Sequence, residues 1–274
     1  MLSKLRQSLR KNIEKQNFRA MDGFIAGYPK TGNTWFQMIM RKAFIEHFDQ
    51  PGELLTKIIT GDLTRQAIRN IPAGVPRIFI THHMPFYNEE TAEEMRIETG
   101  LMRGKKVILL IRDARDALVS LYMHNVHRVE VPLYHGTVNE MARNDRYGID
   151  KFVKYYRDFY RDRDMFDGLL LVRYEDMKQD VRAELRRSLE FVGLEDVSDE
   201  TVEAAVQFGS FDNMKKMEKE NALKMTALAP SSHSGENSFK VRKGEVGGFK
   251  KHFDRQTIDY IDEKVATLPD FYGY

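Results

Sequence analysis

The feature that most constrains the fold is residues 106–112, KVILLIR, an unbroken apolar run between charged ends. A strand with water on one side alternates apolar and polar residues. A run that is apolar at successive positions needs cover on both faces, as strands of parallel sheets do. FIAGYP (24–29), RIFITH (77–82) and GLLLVRY (168–174) are shorter runs of the same kind. Longer amphipathic stretches lie between them. NTWFQMIMRKAFIEHF (33–48) puts Trp35, Met38, Ile39, Ile45 and Phe48 on one helical face, and a second helix is expected from Asp113 to about Asn125. GIDKFVKYYRDFY (148–160) repeats its apolar residues at helical spacing, and a fourth helix is expected from Gln179 to Val192, ending on Gly193. Strands alternating with helices predict an α/β fold: a single three-layer domain, with a central parallel sheet and helices on both faces.

The 274 residues suffice for one substantial core. No repeat or linker divides them, so one domain is expected over 1–274. Cysteine is absent, which excludes disulfides, thiolate metal ligands and a cysteine nucleophile together and leans toward a reducing compartment. A net charge of +2 is too balanced to call for nucleic acid, although local basic clusters can bind a small polyanion. Residues 1–20 are basic, with Leu2, Leu5 and Leu9 at helical spacing, and lack the apolar core of a signal peptide. They are expected to form a surface helix. No apolar run approaches the length of a membrane span, and a cytoplasmic protein is expected. Two stretches break the alternation. Residues 126–147 have no periodicity, and residues 220–248 carry Ser, Gly and Pro before a basic pair. So long a loop inside a compact domain reads as a lid.

Residues 27–35 read GYPKTGNTW. Gly27, Gly32 and Thr34 fit the nucleotide loop G-x-x-x-x-G-K-[ST], but Asn33 stands in the lysine position and the lysine is Lys30. A glycine-containing turn between a strand and a helix start is physically an anion site, because free amides and the helix dipole both favour phosphate. Lys30 adds charge, and Thr31, Asn33 and Thr34 add donors. The plainer alternative is a tight turn capped by Asn or Thr. An NTPase would need the lysine next to the Ser/Thr and a strand-end aspartate for Mg²⁺. Asn33 carries no charge, and Asp113 is better suited to starting the next helix.

Two further basic groups stand out. Arg112 ends the central strand, with Ser120 about two turns along the following helix, and Arg242, Lys243 and Gly244 close the lid. Met singly, each reads as a solvated surface charge. Together with the loop they suggest a ligand with two separated anionic ends.

These blocks resemble the soluble, cytosolic-type sulfotransferases, which transfer a sulfuryl group from 3′-phosphoadenosine 5′-phosphosulfate (PAPS) to an acceptor. YPKTGNTW is similar to that family's YPKSGTTW loop, and RDARDALVSLY to its 3′-phosphate segment. VRYEDMKQD is similar to its FYEDMK strand, SFDNMKKM to an adenine-side segment, and RKGEVGGFKKHF to its RKGxxGDWKxxF signature. The five blocks run in family order from residue 24 to about 253. The resemblance implies a P-loop-NTPase-like sulfotransferase fold, PAPS as donor, adenosine 3′,5′-bisphosphate as product, and no metal requirement. It implies that Lys30 meets the bridging oxygen and that Thr31, Gly32, Asn33 and Thr34 meet the 5′-phosphate. Trp35 would stack on adenine, with Phe211, Met214 and Tyr174 nearby. Arg112, Ser120, Arg242, Lys243 and Gly244 would hold the 3′-phosphate.

The family's base lies in a KTHLP segment, which reads FITHHMP here. Counting from Thr81 gives His82, and counting back from Pro85 gives His83; the strand register favours His82. Histidine suits the role because its ordinary pKa lies near neutrality. Three departures stand out. The family lysine two residues before the histidine is Ile80, GDWK has become GGFK at 247–250, and the dimer motif KxxxTVxxxE has become KKHFDRQTID at 250–259. The last leaves the oligomeric state open. His124 and His127 lack a carboxylate companion and read as helix surface rather than a metal site. The acceptor, whether small molecule, glycan or lipid, is not named by these residues. A P-loop kinase or NTPase and a non-catalytic nucleotide-binding module remain as rival readings.

Overall fold

A computed structural model describes residues 16–60, 65–82, 90–223, 228 and 244–274. Five strands form one parallel sheet: β1 (Gly23–Gly27), β2 (Ile59–Thr60), β3 (Ile78–Thr81), β4 (Lys106–Ile111) and β5 (Gly168–Arg173), in the order β2-β3-β1-β4-β5. The period-2 alternation of a strand explains why residues 107–111, VILLI, are apolar throughout. Val107, Leu109 and Ile111 enter one core while Ile108 and Leu110 enter the other. In β1, Phe24 and Ala26 face the first core and Ile25 the second.

The first core is closed by α3 (Ala114–His127), α4 (Val138–Ala142), α5 (Ile149–Arg161) and α10 (Arg255–Val265). The second is closed by α1 (Asn33–His47), α7 (Val181–Phe191), α8 (Asp199–Phe208) and α9 (Phe211–Glu220). Two short helices, α2 (Arg65–Arg69) and α6 (Tyr174–Gln179), complete the set. The expected layering of helices on both faces of a central parallel sheet is what the chain adopts.

The differences from the sequence reading are local. The strand expected at 168–174 stops at Arg173, and Tyr174 opens α6. The helix expected from Gln179 starts at Val181, because Asp180 breaks the chain and caps the new helix by accepting from Ala183 N at 3.0 Å. Within the aperiodic stretch, Thr137 and Glu140 form a capping box that starts α4. Phe18 is buried and stacks on Phe24 at 4.6 Å, so the end of the expected N-terminal helix belongs to the core. Its basic part, residues 1–15, lies outside the described residues, as do 224–227 and 229–243 of the expected lid. Phe249, at the GGFK departure, is a buried core residue. Among the described residues no helix is long and apolar enough to cross a membrane.

Leu109 is fully buried in the central strand β4. Leu109→Ala is expected to lower unfolding free energy by about 2–5 kcal/mol, read as a shift of the urea midpoint with unchanged slope.

Candidate active site

In an open parallel sheet, ligands bind beyond the carboxyl ends of the strands, where successive connections leave in opposite directions. Here that point is β1, flanked by β3 on one side and β4 on the other. The loop 28–32 leaves β1, His82 follows β3, Arg112 follows β4 and Tyr174 follows β5. The sheet thus delivers four of the expected site positions to one edge.

The loop is built around two glycines. A Cβ on Gly27 would lie 2.7 Å from Asn33 Oδ1 and 2.9 Å from Thr31 Oγ1, so the chain doubles back tightly over this residue. Gly32 has φ +99°, and a Cβ there would meet the Tyr174 ring at 2.8 Å. Lys30 also takes a left-handed conformation, φ 73°, which is uncommon for a residue with a side chain. Such strain persists only where surroundings hold it, and Arg112 Nη1 donates to the Lys30 carbonyl at 3.2 Å.

The turn is not capped in the way the plainer reading expects. Gly32 is the N-cap of α1, no side chain caps it, and the first turn has no acidic residue. Asn33 instead donates from Nδ2 to the Tyr28 carbonyl at 3.1 Å, and the Thr31 hydroxyl donates to the same carbonyl at 2.7 Å. The amides at the start of a four-turn helix are therefore left for another acceptor. Asp113, by contrast, caps α3 by accepting from Arg115 N at 2.9 Å, the helix-starting role read from sequence.

His82 Nδ1 lies 2.8 Å from the Gly27 carbonyl and 3.5 Å from Asn33 Nδ2. A carbonyl only accepts, so Nδ1 carries the proton toward Gly27 and Nε2 is the basic nitrogen of the neutral ring. Ile80, two residues earlier, packs against the second core, where the departure from lysine serves packing. His83 lies outside the described residues.

Arg112 braces the site. Its guanidinium sits 4.3 Å from the Tyr174 ring centroid, and Nη2 donates to the Glu245 carbonyl at 3.1 Å. Its Nε is buried and has no hydrogen-bond partner among the described residues. Trp35 is fixed by donating to the Gly209 carbonyl at 2.8 Å and meets Tyr174 edge-on, centroids 5.6 Å apart. Phe211 opens α9 half-exposed, whereas Met214 is buried in the second core. A Cβ on Gly244 would lie 3.2 Å from the Tyr174 hydroxyl and 3.8 Å from Phe211, which puts the described end of the lid on the Arg112–Tyr174 side. Ser120 lies on α3 and bonds to none of these groups among the described residues. Arg242 and Lys243 are outside the described residues.

Sequence reasoning missed two supports. Glu175 Oε1 accepts from Asp113 N at 3.0 Å, next to Arg112. The Tyr274 hydroxyl donates to the Arg112 carbonyl at 2.6 Å. Glu175 sits inside the quoted YED block, but Tyr274 carries no local signal. His124 and His127 lie in the last turn of α3, and no cluster of three potential ligands occurs among the described residues.

A family model described as "Sulfotransferase domain" matches residues 20–268. The chain belongs to the sulfotransferase family. Amine sulfotransferase from Oryctolagus cuniculus is 25% identical over 258 residues, covering 91% of this chain and 81% of the relative. Sulfotransferase 1C2 from Rattus norvegicus is 29% identical over 267 residues, covering 90% and 83%. The structure of mouse sulfotransferase SULT7A1 complexed with PAP superposes with a TM-score of 0.59 at 21% identity, over 93% of this chain and 88% of that one. The structural likeness supports the fold, and the matched domain supports the family.

Burial pushes the Glu175 carboxyl above its ordinary value near 4.5, with Asp113 N and Arg112 partly opposing the shift. A carboxyl raised in the folded state favours its protonated form there. Stability is therefore lost as pH rises from the unfolded value through the raised folded value. Glu175→Gln removes that loss, so it is expected to raise Tm relative to wild type more at pH 8 than at pH 4, measured by scanning calorimetry.

Proposed function

We propose that this member of the sulfotransferase family transfers the sulfuryl group of PAPS to an acceptor hydroxyl or amine by in-line displacement, with a histidine as general base. The observation that carries the reading is the meeting of an uncapped helix start, Lys30, His82 and Arg112 at one sheet edge. The residues fit a donor with two anionic ends. The amides of α1, together with Thr31, Asn33 and Thr34, would take the 5′-phosphate. Arg112, whose buried Nε has no partner among the described residues, would take the 3′-phosphate with Ser120, Arg242, Lys243 and Gly244. Trp35, Tyr174 and Phe211 offer aromatic surface to adenine, with Met214 beneath.

In the proposed mechanism His82 Nε2 removes the acceptor proton as attack on sulfur proceeds, while Nδ1 stays anchored to the Gly27 carbonyl. Lys30 offsets the charge that develops on the departing phosphate oxygen. With Ile80 in place of a second lysine, Lys30 carries more of that charge stabilisation. The name of the rabbit relative, amine sulfotransferase, supports an amine as a small-molecule acceptor. The reading as a P-loop kinase is disfavoured by the capping role of Asp113 and by Asn33, whose amide is turned to the Tyr28 carbonyl.

Transfer from labelled PAPS, screened over phenol, steroid or lipid alcohol, sugar and amine acceptors in the presence of EDTA, is expected to reveal a product. Lys30→Ala is expected to lower kcat by about 10²–10³-fold and His82→Ala by about 10²–10⁴-fold, with His83→Ala near wild type. Unchanged rates in the His82→Ala, His83→Ala double variant would sink the mechanism. Mg²⁺-dependent ATP turnover surviving Lys30→Ala would favour a kinase instead.

A further inference from the structure

The stretch 244–249 is held to the site from the side of α3. Arg112 Nη2 reaches the Glu245 carbonyl, and one turn further on Asp116 accepts two backbone bonds, from Gly247 N at 2.7 Å and from Phe249 N at 2.9 Å. Each Asp116 oxygen takes one of these amides, and the side chain is almost fully buried. A buried carboxylate is costly unless its oxygens are bonded, and bonds to an ionised acceptor are the strong ones. The two amides belong to a tight turn over Gly248–Lys251 that Gly247 enters in a left-handed conformation, and no side chain within that turn caps it. Phe249 is buried in the first core, with the Arg115 guanidinium 4.3 Å above its ring. Asp116 therefore supplies, from another element, the cap that this turn lacks. The anchored stretch begins at Gly244, beside the Tyr174 hydroxyl, and its Glu245 carbonyl is one of two acceptors that orient the Arg112 guanidinium.

We infer that Asp116 is a positioning residue of the donor-nucleotide site: it anchors 244–249 so that Gly244 and Arg112 are held in register for the 3′-phosphate. This rests on the reading given under Proposed function. Asp116 touches no reacting atom. Its effect passes through Gly247 and Phe249 to Glu245 and Arg112, and so it belongs to binding of the nucleotide rather than to the chemical step.

The test is calorimetric binding of adenosine 3′,5′-bisphosphate at 15 °C to wild type, Asp116→Asn and Leu185→Ala. Asparagine keeps the shape but turns an N–H toward one backbone amide, leaving that donor buried and unpaired. Asp116→Asn is expected to weaken the nucleotide by about tenfold, equivalent to about 1.4 kcal/mol. Leu185 is fully buried in α7, away from this contact, so Leu185→Ala is expected to lower Tm and leave Kd within about twofold, on the scale where tenfold is about 1.4 kcal/mol. Weakening confined to Asp116→Asn supports the inference. Equal Kd in wild type and Asp116→Asn overturns it while leaving the proposed function intact. No binding by wild type overturns both. If Asp116→Asn does not fold, Asp116→Glu, which keeps both oxygens but misplaces them, is expected to weaken Kd several-fold, and an unchanged Kd overturns the inference.

Discussion

The parallel pairing of β1 with β3 on one side and β4 on the other is the constraint on which the site depends. Register places Gly27 against Leu110 and Ala26 against Thr81, so the three strands end together. The residues that follow them, the loop at 28–32, His82 and Arg112, then meet without any long connection having to fold back. The pairing is possible because residues 23–27 and 107–111 are apolar on both faces, and each face is closed by its own helix layer. Cover on both sides also keeps water away from the sheet, so polar groups at its edge must find partners there.

Those partners tie separate elements into one electrostatic unit. Arg112 bonds backward to Lys30 and forward to Glu245, and lies over Tyr174. Its own carbonyl is held by Tyr274, and its neighbour Asp113 is held by Glu175. A left-handed lysine is a strained residue, worth about 1–3 kcal/mol where it occurs, and the Arg112 bond to its carbonyl is one restraint that keeps it so. The conformation of the 28–32 loop and the position of the Glu245 stretch are thus coupled through one guanidinium.

The layer order was legible because it follows from hydrophobic period, which is a property of consecutive residues. KVILLIR, the helix at 149–161 and the loop at 27–35 needed nothing from elsewhere in the chain. Asp113 as a helix start was legible for the same reason. The break at Asp180 was not, since Gln179 and Asp180 fit a helix surface equally well until the cap forms. The two-residue strand β2 is too short to show a period. In the site, Lys30, His82 and Arg112 could be named from spacing and resemblance. Asn33 turning back to Tyr28, Trp35 held by Gly209, and Asp116 reaching across to Gly247 and Phe249 join residues up to 174 positions apart, and no local pattern encodes them.

The central claim is that one crevice holds both anionic ends of an adenosine nucleotide, the 5′ end at the start of α1 and the 3′ end at Arg112. The most direct measurement is the Kd of wild type, without divalent metal, for adenosine 3′,5′-bisphosphate, adenosine 5′-monophosphate and ATP. The account predicts that the 3′,5′-bisphosphate binds at least about tenfold, or about 1.4 kcal/mol, more tightly than either of the others. Equal affinity for the bisphosphate and the monophosphate, or preference for ATP, would contradict it.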